Sequence, residues 1–237
     1  MHSTRYIITF VAVLTMVVAL VLSLLATGLK PIHDRNEAIY NKKAILSAIN
    51  AYLDEKPANM SAAQVQKIFD DQIQQEVVDM KGNVIEGLKA EDIDMAKEKK
   101  KPLAEQRLPV YIYNSPEGKV YIVSVRGSGL WDEIWGSIAL KNDFNTIVGA
   151  TFDHKGETPG LGAEIKDNPK FPEQFIGKTI NDESGNYVSI DVVKGGIKEM
   201  AHQVDAISGA TITSKGVAEM LDRGLEYYQP FFENQKK

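Results

Sequence analysis

An uncharged, apolar run near the N-terminus, residues 6–27, constrains this chain more than any other feature. As an α-helix rising about 1.5 Å per residue it spans roughly 33 Å, enough to cross the hydrocarbon core of a bilayer. A cleaved signal peptide is the alternative, because Ala26-Thr27-Gly28 has the small residues of a cleavage site. The run exceeds the apolar core of about 7–15 residues that is typical of signal peptides. We therefore predict a retained, single-pass membrane anchor over residues 1–29.

The charges that flank this run bear on its orientation. Only Arg5 precedes it closely, whereas the cations that follow are Lys30, Arg35, Lys42 and Lys43. By the positive-inside rule, this excess would place the larger part of the chain in the cytoplasm. Long domains cross the membrane largely regardless of charge, so the pattern alone leaves the side open.

The composition excludes several classes of function. The chain has no cysteine, which rules out disulfides, iron–sulfur ligation, thiolate zinc sites and cysteine nucleophiles. Its net charge of −5 argues against a nucleic-acid partner, since such domains carry a basic excess. His154, with Lys155 and Glu157 beside it, lies far from His202 in the sequence, and we expect no metal site. Nucleotide-binding fingerprints and a Gly-x-Ser-x-Gly elbow do not occur, and we expect no catalytic residue.

Residues 30–108 are predicted to be mainly helical. One apolar stripe at helical spacing is formed by Ile45, Ala48, Ile49, Tyr52 and Leu53. Ser61, with Gln64 three positions later, matches a capping box and indicates the start of a second helix. We also predict a short hairpin between residues 77–78 and 84–85, and a solvated connector at the charged run of residues 97–102.

From residue 109 to residue 237 the pattern changes to strands and a closing helix. The strand-like runs are residues 110–113, 120–125, 134–140, 146–152 and 187–193. A helix is predicted from about Ser214 to Tyr228, ahead of Pro230. The expected fold class is α+β: a single N-terminal transmembrane helix, then a soluble domain with antiparallel strands and flanking helices.

Three glycine segments interrupt the strand-rich half: residues 127–131, 157–162 and 208–211. Glycines allow positive φ and close approach of the backbone to a ligand, although any one segment alone is typical of an ordinary turn. The third segment precedes the closing helix, and the hydroxyls around it belong to Ser208, Thr211, Thr213 and Ser214. A helix N-terminus favours a phosphate. The alternative is that Thr213 or Ser214 simply caps the helix.

Residues 205–211, Asp-Ala-Ile-Ser-Gly-Ala-Thr, resemble the flavinylation motif of the FMN-binding domain family. In that family a flavin transferase joins FMN to the last threonine through a phosphoester bond. Gly-Ser-Gly-Leu-Trp and Glu-Thr-Pro-Gly-Leu-Gly, at residues 127–131 and 157–162, resemble sequences that the family carries upstream in the same order. With the single N-terminal span and the helical insert, the resemblance covers nearly the whole chain.

The resemblance implies a role for each residue of the site. Thr211 is expected to carry covalent FMN, and Asp205 belongs to the motif that the transferase recognises. Trp131 and Leu161 are expected to sandwich the isoalloxazine ring, with Thr158 close enough to hydrogen-bond it. The other cofactor-binding residues implied are Ser208, Gly209 and Ala210, which shape the phosphate turn, and Gly160, Gly162 and Ile212.

The resemblance also implies a function and a location. The most similar families are the C subunits of Na⁺-translocating NADH:quinone reductases and the G subunits of Rnf ferredoxin:NAD⁺ complexes. A C-type subunit would relay electrons through its FMN, without complete catalytic activity of its own. It would lie in the bilayer of a bacterial inner membrane, soluble domain on the periplasmic side, among the other subunits of the complex. A G-type subunit is one alternative; a cofactor-free, membrane-tethered structural subunit is the other.

Overall fold

The computed structural model describes residues 3–236, which fall into two compact units. The first unit ends at Asn41 and the second begins at Lys42. The three-part division predicted from the sequence, with boundaries after residues 29 and 108, remains a prediction.

Helix α1 (Thr4–Ser47) is, within residues 3–236, the one helix long and apolar enough to cross a membrane. Its large apolar side chains from Tyr6 to Ile32 are exposed, as an anchor requires and as a signal sequence would also show.

The apolar stripe predicted at residues 45–53 does not form a separate helix. α1 continues through Pro31 to Ser47, and a single 3₁₀ turn, Asn50–Tyr52, follows. The break arises because the N–H groups of Ala48 and Ile49 bond to carbonyls three residues back.

A five-stranded antiparallel sheet forms the centre of the second unit. Its strands, in spatial and in sequence order, are β1 (Ile73–Asp79), β2 (Arg107–Ser115), β3 (Gly118–Ser128), β4 (Glu133–Leu140) and β5 (Ile147–His154). The four strands predicted between residues 110 and 152 are thus confirmed as β2 to β5. The predicted hairpin is also present, as β1 and a short return pairing of Val78 with Val84.

Both faces of this sheet are buried, because its central strands carry apolar residues at odd and even positions. Val110 and Ile112 belong to a core shared with the C-terminal helices, whereas Tyr111 and Tyr113 belong to a core shared with the end of α1 and with α2 (Ala62–Gln72). Successive residues of a strand point to opposite faces, so each strand contributes to both cores.

The segment before the sheet confirms one prediction and corrects another. The capping box is formed: Ser61 Oγ accepts a hydrogen bond from Gln64 N, and Gln64 Oε1 accepts one from Ser61 N. The charged connector is not fully solvated, because it overlaps a short helix, α3 (Met95–Glu98), in which Glu98 is buried. The Glu98 carboxylate accepts hydrogen bonds from Lys101 Nζ and from the N–H of Arg107.

The C-terminal part contains α4 (Glu164–Asp167), α5 (Lys170–Glu173), the parallel pair β6 (Asp191–Val193) and β7 (Gln203–Asp205), then α6 (Thr211–Glu226) and α7 (Gln229–Gln235). The strand predicted at residues 187–193 shortens to β6. Ser189 adopts a φ of 62°, and its N–H shares the Ile180 carbonyl with the N–H of Val188, which interrupts the ladder. The predicted fold class, α+β with antiparallel strands and flanking helices, is confirmed.

Candidate cofactor-binding site

The first glycine segment connects two strands, β3 and β4, whereas the other two connect a strand to a helix. The first begins in the last two residues of β3, the second follows β5, and the third joins β7 to α6. The buried side chain of Glu157, only 5% exposed, links them. Its Oε1 accepts a hydrogen bond from the N–H of Trp131 at 2.9 Å, and its Oε2 accepts one from Thr213 Oγ1 at 2.6 Å. One carboxylate of the second segment thus holds the first segment and the first turn of α6.

Two glycines of these segments accommodate this carboxylate. A Cβ at Gly129 would lie 2.5 Å from Glu157 Oε1, and one at Gly162 would lie 2.3 Å from Glu157 Oε2. Gly160 and Gly209 instead have φ of 73° and 79°, in the left-handed region that favours glycine. Packing around the Glu157 carboxylate therefore requires glycine at positions 129 and 162, and the cofactor-binding role of Gly162 stays a prediction.

Trp131 and Leu161, the predicted ring-binding pair, are large apolar side chains that remain 69% and 43% exposed. Trp131 Nε1 donates a hydrogen bond to Thr158 Oγ1 at 3.1 Å, which orients the indole against the second segment. Leu161 lies against the third segment, where a Cβ at Gly209 would come within 2.8 Å of its Cδ2. The pair therefore belongs to segments that are joined by direct contacts.

Thr211 is the first residue of α6, which begins there and not at Ser214 as predicted. The N–H groups of residues 211–213 have no partner within the helix, and the preceding residue, Ala210, offers no side-chain cap. The capping alternative for Thr213 and Ser214 is wrong: Thr213 donates to Glu157, and Ser214 Oγ accepts from the N–H of Ile207 at 3.1 Å. The exposed Thr211 side chain is thus next to an uncapped helix N-terminus.

A cavity of about 320 Å³ adjoins the third segment, and its lining includes Gly160, Asp205 and Ser208. Asp205 ends β7, and its side chain is exposed. Its backbone is fixed by Gln174, whose Oε1 accepts from Asp205 N at 2.8 Å. Asp205 and Ser208 are therefore accessible along one depression of the surface.

Charged side chains next to the first segment are paired. Lys155 Nζ lies 3.0 Å from Asp132 Oδ2, and Arg126 lies 2.5 Å from Glu133 Oε2. Hydrogen bonds from the N–H of Glu133 and from Lys155 hold the pKa of Asp132 below its ordinary value, and the hydrogen bond from Arg126 does the same to the pKa of Glu133. Both carboxylates are ionised at neutral pH, so each of these two pairs has no net charge.

The two histidines considered as metal ligands contact the backbone. His154 Nδ1 accepts a hydrogen bond from the N–H of Glu157 at 3.1 Å, and His202 Nδ1 lies 2.6 Å from the carbonyl oxygen of Thr179. His154 therefore shapes the turn that leads into the second glycine segment.

Glu157 and Thr213 are the residues that the sequence reasoning did not include in the site. A signal was present, because Glu157 is the one charged residue in the three glycine segments. A carboxylate within glycine-rich turns can bond the N–H groups of its neighbours. Its burial, however, depends on contacts with Trp131 and Thr213, which are distant in sequence.

The residues present fit FMN. Its phosphate requires hydrogen-bond donors and a positive field, which the uncapped N-terminus of α6 offers beside Thr211. Its flat ring requires apolar faces, which the exposed side chains of Trp131 and Leu161 offer.

A family model described as FMN-binding domain matches residues 129–226, from the first glycine segment to the end of α6. The fold and the site thus define an FMN-binding domain behind an apolar helix. The C subunit of the Na⁺-translocating NADH-quinone reductase of Pseudomonas aeruginosa is 34% identical over 94% of this chain and 95% of its own length. The corresponding C subunit of Vibrio anguillarum is 34% identical over 90% of this chain and 86% of its own length.

Two solved structures are similar to the fold. The crystal structure of the C subunit of a Na⁺-translocating NADH-quinone reductase from Parabacteroides distasonis matches with a TM-score of 0.75 and 38% identity, covering 86% of this chain and 96% of that one. That of NqrC from Shewanella oneidensis matches with a TM-score of 0.68 and 29% identity, covering 85% and 97%. The chain belongs to the family of the C subunits of Na⁺-translocating NADH-quinone reductases.

Proposed function

We propose that this chain carries electrons within a membrane-bound, Na⁺-translocating NADH:quinone reductase, through FMN attached covalently to Thr211. One observation supports this most: the exposed hydroxyl of Thr211 stands at the uncapped N-terminus of α6, on a segment in contact with the exposed Leu161. The matching relatives are each named as the C subunit of such a reductase, and this supports the assignment of the chain to that complex.

The covalent bond proposed is a phosphoester between Thr211 Oγ1 and the FMN phosphorus. The hydroxyl proton passes to a base of the transferase, and the phosphoanhydride bond of a flavin dinucleotide breaks, with the nucleoside monophosphate as the leaving group. No titratable side chain within two positions of Thr211 could act as a base. The step therefore belongs to a separate flavin transferase, and the exposed Asp205 and Ser208 are where that enzyme would contact the chain.

The side chains of the site bind and orient the cofactor. The N–H groups of residues 211–213 would hold the phosphate oxygens, and the exposed side chains of Trp131 and Leu161 would contact the ring. Thr158, already bonded to Trp131 Nε1, fixes the indole for this contact. Bound FMN would supply the transfer of one or two electrons.

The proposed setting is a bacterial inner membrane. α1 anchors the chain in the bilayer, the FMN domain lies on the periplasmic side, and the other subunits deliver and remove electrons. One helix of spanning length, the only one within residues 3–236, forms no ion path alone, so Na⁺ translocation belongs to those partners. The matching relatives favour this complex over an Rnf-type one.

Thr211→Ala tests the proposal. The full-length chain is co-produced with a flavin transferase, and its intact mass is measured. The wild type is expected to gain the mass of FMN less one water, whereas Thr211→Ala gains none. Thr211→Ser, which keeps a hydroxyl, is the matched control and is expected to carry FMN. A wild-type chain without the added mass would support the cofactor-free structural subunit instead, and an adduct retained in Thr211→Ala would remove Thr211 as the attachment residue.

A further inference from the structure

Glu157 lies at the centre of the site without facing its surface. The residue is 5% exposed, and its two carboxylate oxygens accept one hydrogen bond each, from Trp131 N and from Thr213 Oγ1. Gly129 and Gly162 close around the carboxylate so tightly that a Cβ at either would collide with it. Three separate parts of the chain are thus fitted to one side chain.

We infer that Glu157 is a positioning residue for the flavin: its carboxylate holds the Trp131 backbone and the first turn of α6 in the arrangement that FMN attachment and ring binding require. The inference rests on the proposed function, since Glu157 can position the flavin only if Thr211 carries FMN. Glu157 touches neither the attachment hydroxyl nor the exposed indole face in the contacts described, and it acts through Trp131 and Thr213.

The contacts of Trp131 and of α6 explain why this position matters. Trp131 is fixed twice by the second segment, through its N–H to Glu157 and through Nε1 to Thr158. Thr213 is two residues beyond Thr211 in the first turn of α6, so its bond to Glu157 fixes the turn that presents the attachment hydroxyl. Without the carboxylate, the N–H of Trp131 loses its acceptor and a cavity opens between the segments.

The conservative amide should be able to replace the carboxylate. In Glu157→Gln, the amide oxygen can accept from Trp131 N–H, while its NH₂ donates to Thr213 Oγ1, because a hydroxyl is both donor and acceptor. Glu157→Ala offers neither contact. Wild-type behaviour of Glu157→Gln would show that the site requires the hydrogen bonds and the size of this side chain, and not its negative charge.

The experiment compares full-length variants co-produced with the transferase. The rate of FMN attachment is measured by intact mass, and the binding of the attached ring by visible circular dichroism. Glu157→Ala is expected to attach FMN slower by tenfold or more, since a misplacement of about 1 Å costs up to about a hundredfold in a reaction that depends on orientation. Its visible dichroism should be weakened. Glu157→Gln should be close to the wild type in both.

Glu98 provides a matched control. It is also buried, at 7% exposed, and its carboxylate also accepts from one side chain and one backbone N–H, but these belong to Lys101 and Arg107. Glu98→Ala should lower the thermal stability and leave both attachment and dichroism unchanged. Equal flavin defects in the two alanine variants would reduce Glu157 to an ordinary stabilising residue and overturn the inference.

Wild-type attachment and dichroism in Glu157→Ala would also overturn it. If that variant does not fold, Thr213→Val removes one of the two contacts at constant shape, and slower attachment with altered dichroism is expected; wild-type values there would contradict the inference. These results are distinct from those that would contradict the proposed function. That function fails if the wild type carries no FMN, or if the Thr211→Ala variant still carries it.

Discussion

Single side chains of this site divide between those that stabilise the fold and those that we propose bind the cofactor. Trp131, Leu161 and Ile212 are exposed large apolar residues, so they add little to the stability of the chain as it stands. Glu157 and Thr213 are buried and bonded to each other. Substitutions in the first group should therefore affect the flavin and leave folding intact.

Trp131→Ala tests this separation. Because the indole is 69% exposed, its loss should change the free energy of unfolding by no more than about 0.5 kcal/mol. Covalent FMN should remain, but quenching of flavin fluorescence by iodide should increase, since one face of the ring is uncovered. Met200→Ala removes an equally exposed side chain, at 71%, and should not alter the quenching. Unchanged quenching in Trp131→Ala would exclude Trp131 from the ring site.

The sequence allowed Thr211, Trp131 and Leu161 to be predicted through local motifs, because the residues that carry a motif are adjacent. Glu157 could not be placed in the same way. A glutamate in a turn is expected to face solvent, and its burial here depends on Trp131 and Thr213, which are distant in sequence. Such a contact exists only once the fold is formed.

At the scale of elements, β2 to β5 were predictable from runs rich in β-branched and aromatic residues separated by turn sequences, whereas the start of α6 was not. Serine is a good N-cap and alanine a poor one, so the sequence favours a start at Ser214. In the structure Ala210 precedes the helix, and Thr213 and Ser214 bond to Glu157 and Ile207 instead. Tertiary contacts thus extend the helix to Thr211 and place the proposed attachment residue at its end.

Gly216 tests how α6 is placed on the sheet. A Cβ at this position would lie 2.3 Å from the carbonyl oxygen of Ser128 at the end of β3, and a backbone atom cannot move aside at low cost. Gly216→Ala should lower the free energy of unfolding by about 1–3 kcal/mol in urea denaturation, despite the higher helix propensity of alanine.

Gly156→Ala is the control for that measurement. Its nearest neighbour would be Asp132 Cβ at 4.0 Å, so the change should stay within about 0.5 kcal/mol. A Gly216→Ala variant as stable as this control would contradict the close packing of α6 on β3.

For the whole molecule, composition and one apolar run were enough to predict a single anchor, and within residues 3–236 the structure has one helix long and apolar enough to be that anchor. The sequence gives two conflicting indications of the side of the membrane on which the FMN domain lies. The cations after the run favour the cytoplasm, whereas the resemblance to the family implies the periplasm. Charge near the span is a weak guide for a domain of this size, and we propose the periplasmic side.

A fusion of alkaline phosphatase to the C-terminus tests this orientation, because the enzyme is active only outside the cytoplasm. The fusion should be active in intact cells, and a β-galactosidase fusion at the same point should be inactive. The reverse pair of results would place the FMN domain in the cytoplasm.

The attachment of FMN to Thr211 is tested most directly by mapping the modified residue in the wild-type chain. Trypsin releases residues 199–215 as one peptide, which contains four hydroxyl residues, Ser208, Thr211, Thr213 and Ser214. Fragmentation of this peptide by mass spectrometry should locate the flavin phosphate on Thr211 alone. An adduct on any of the other three residues, or an unmodified peptide from cells that contain the transferase, would contradict the account.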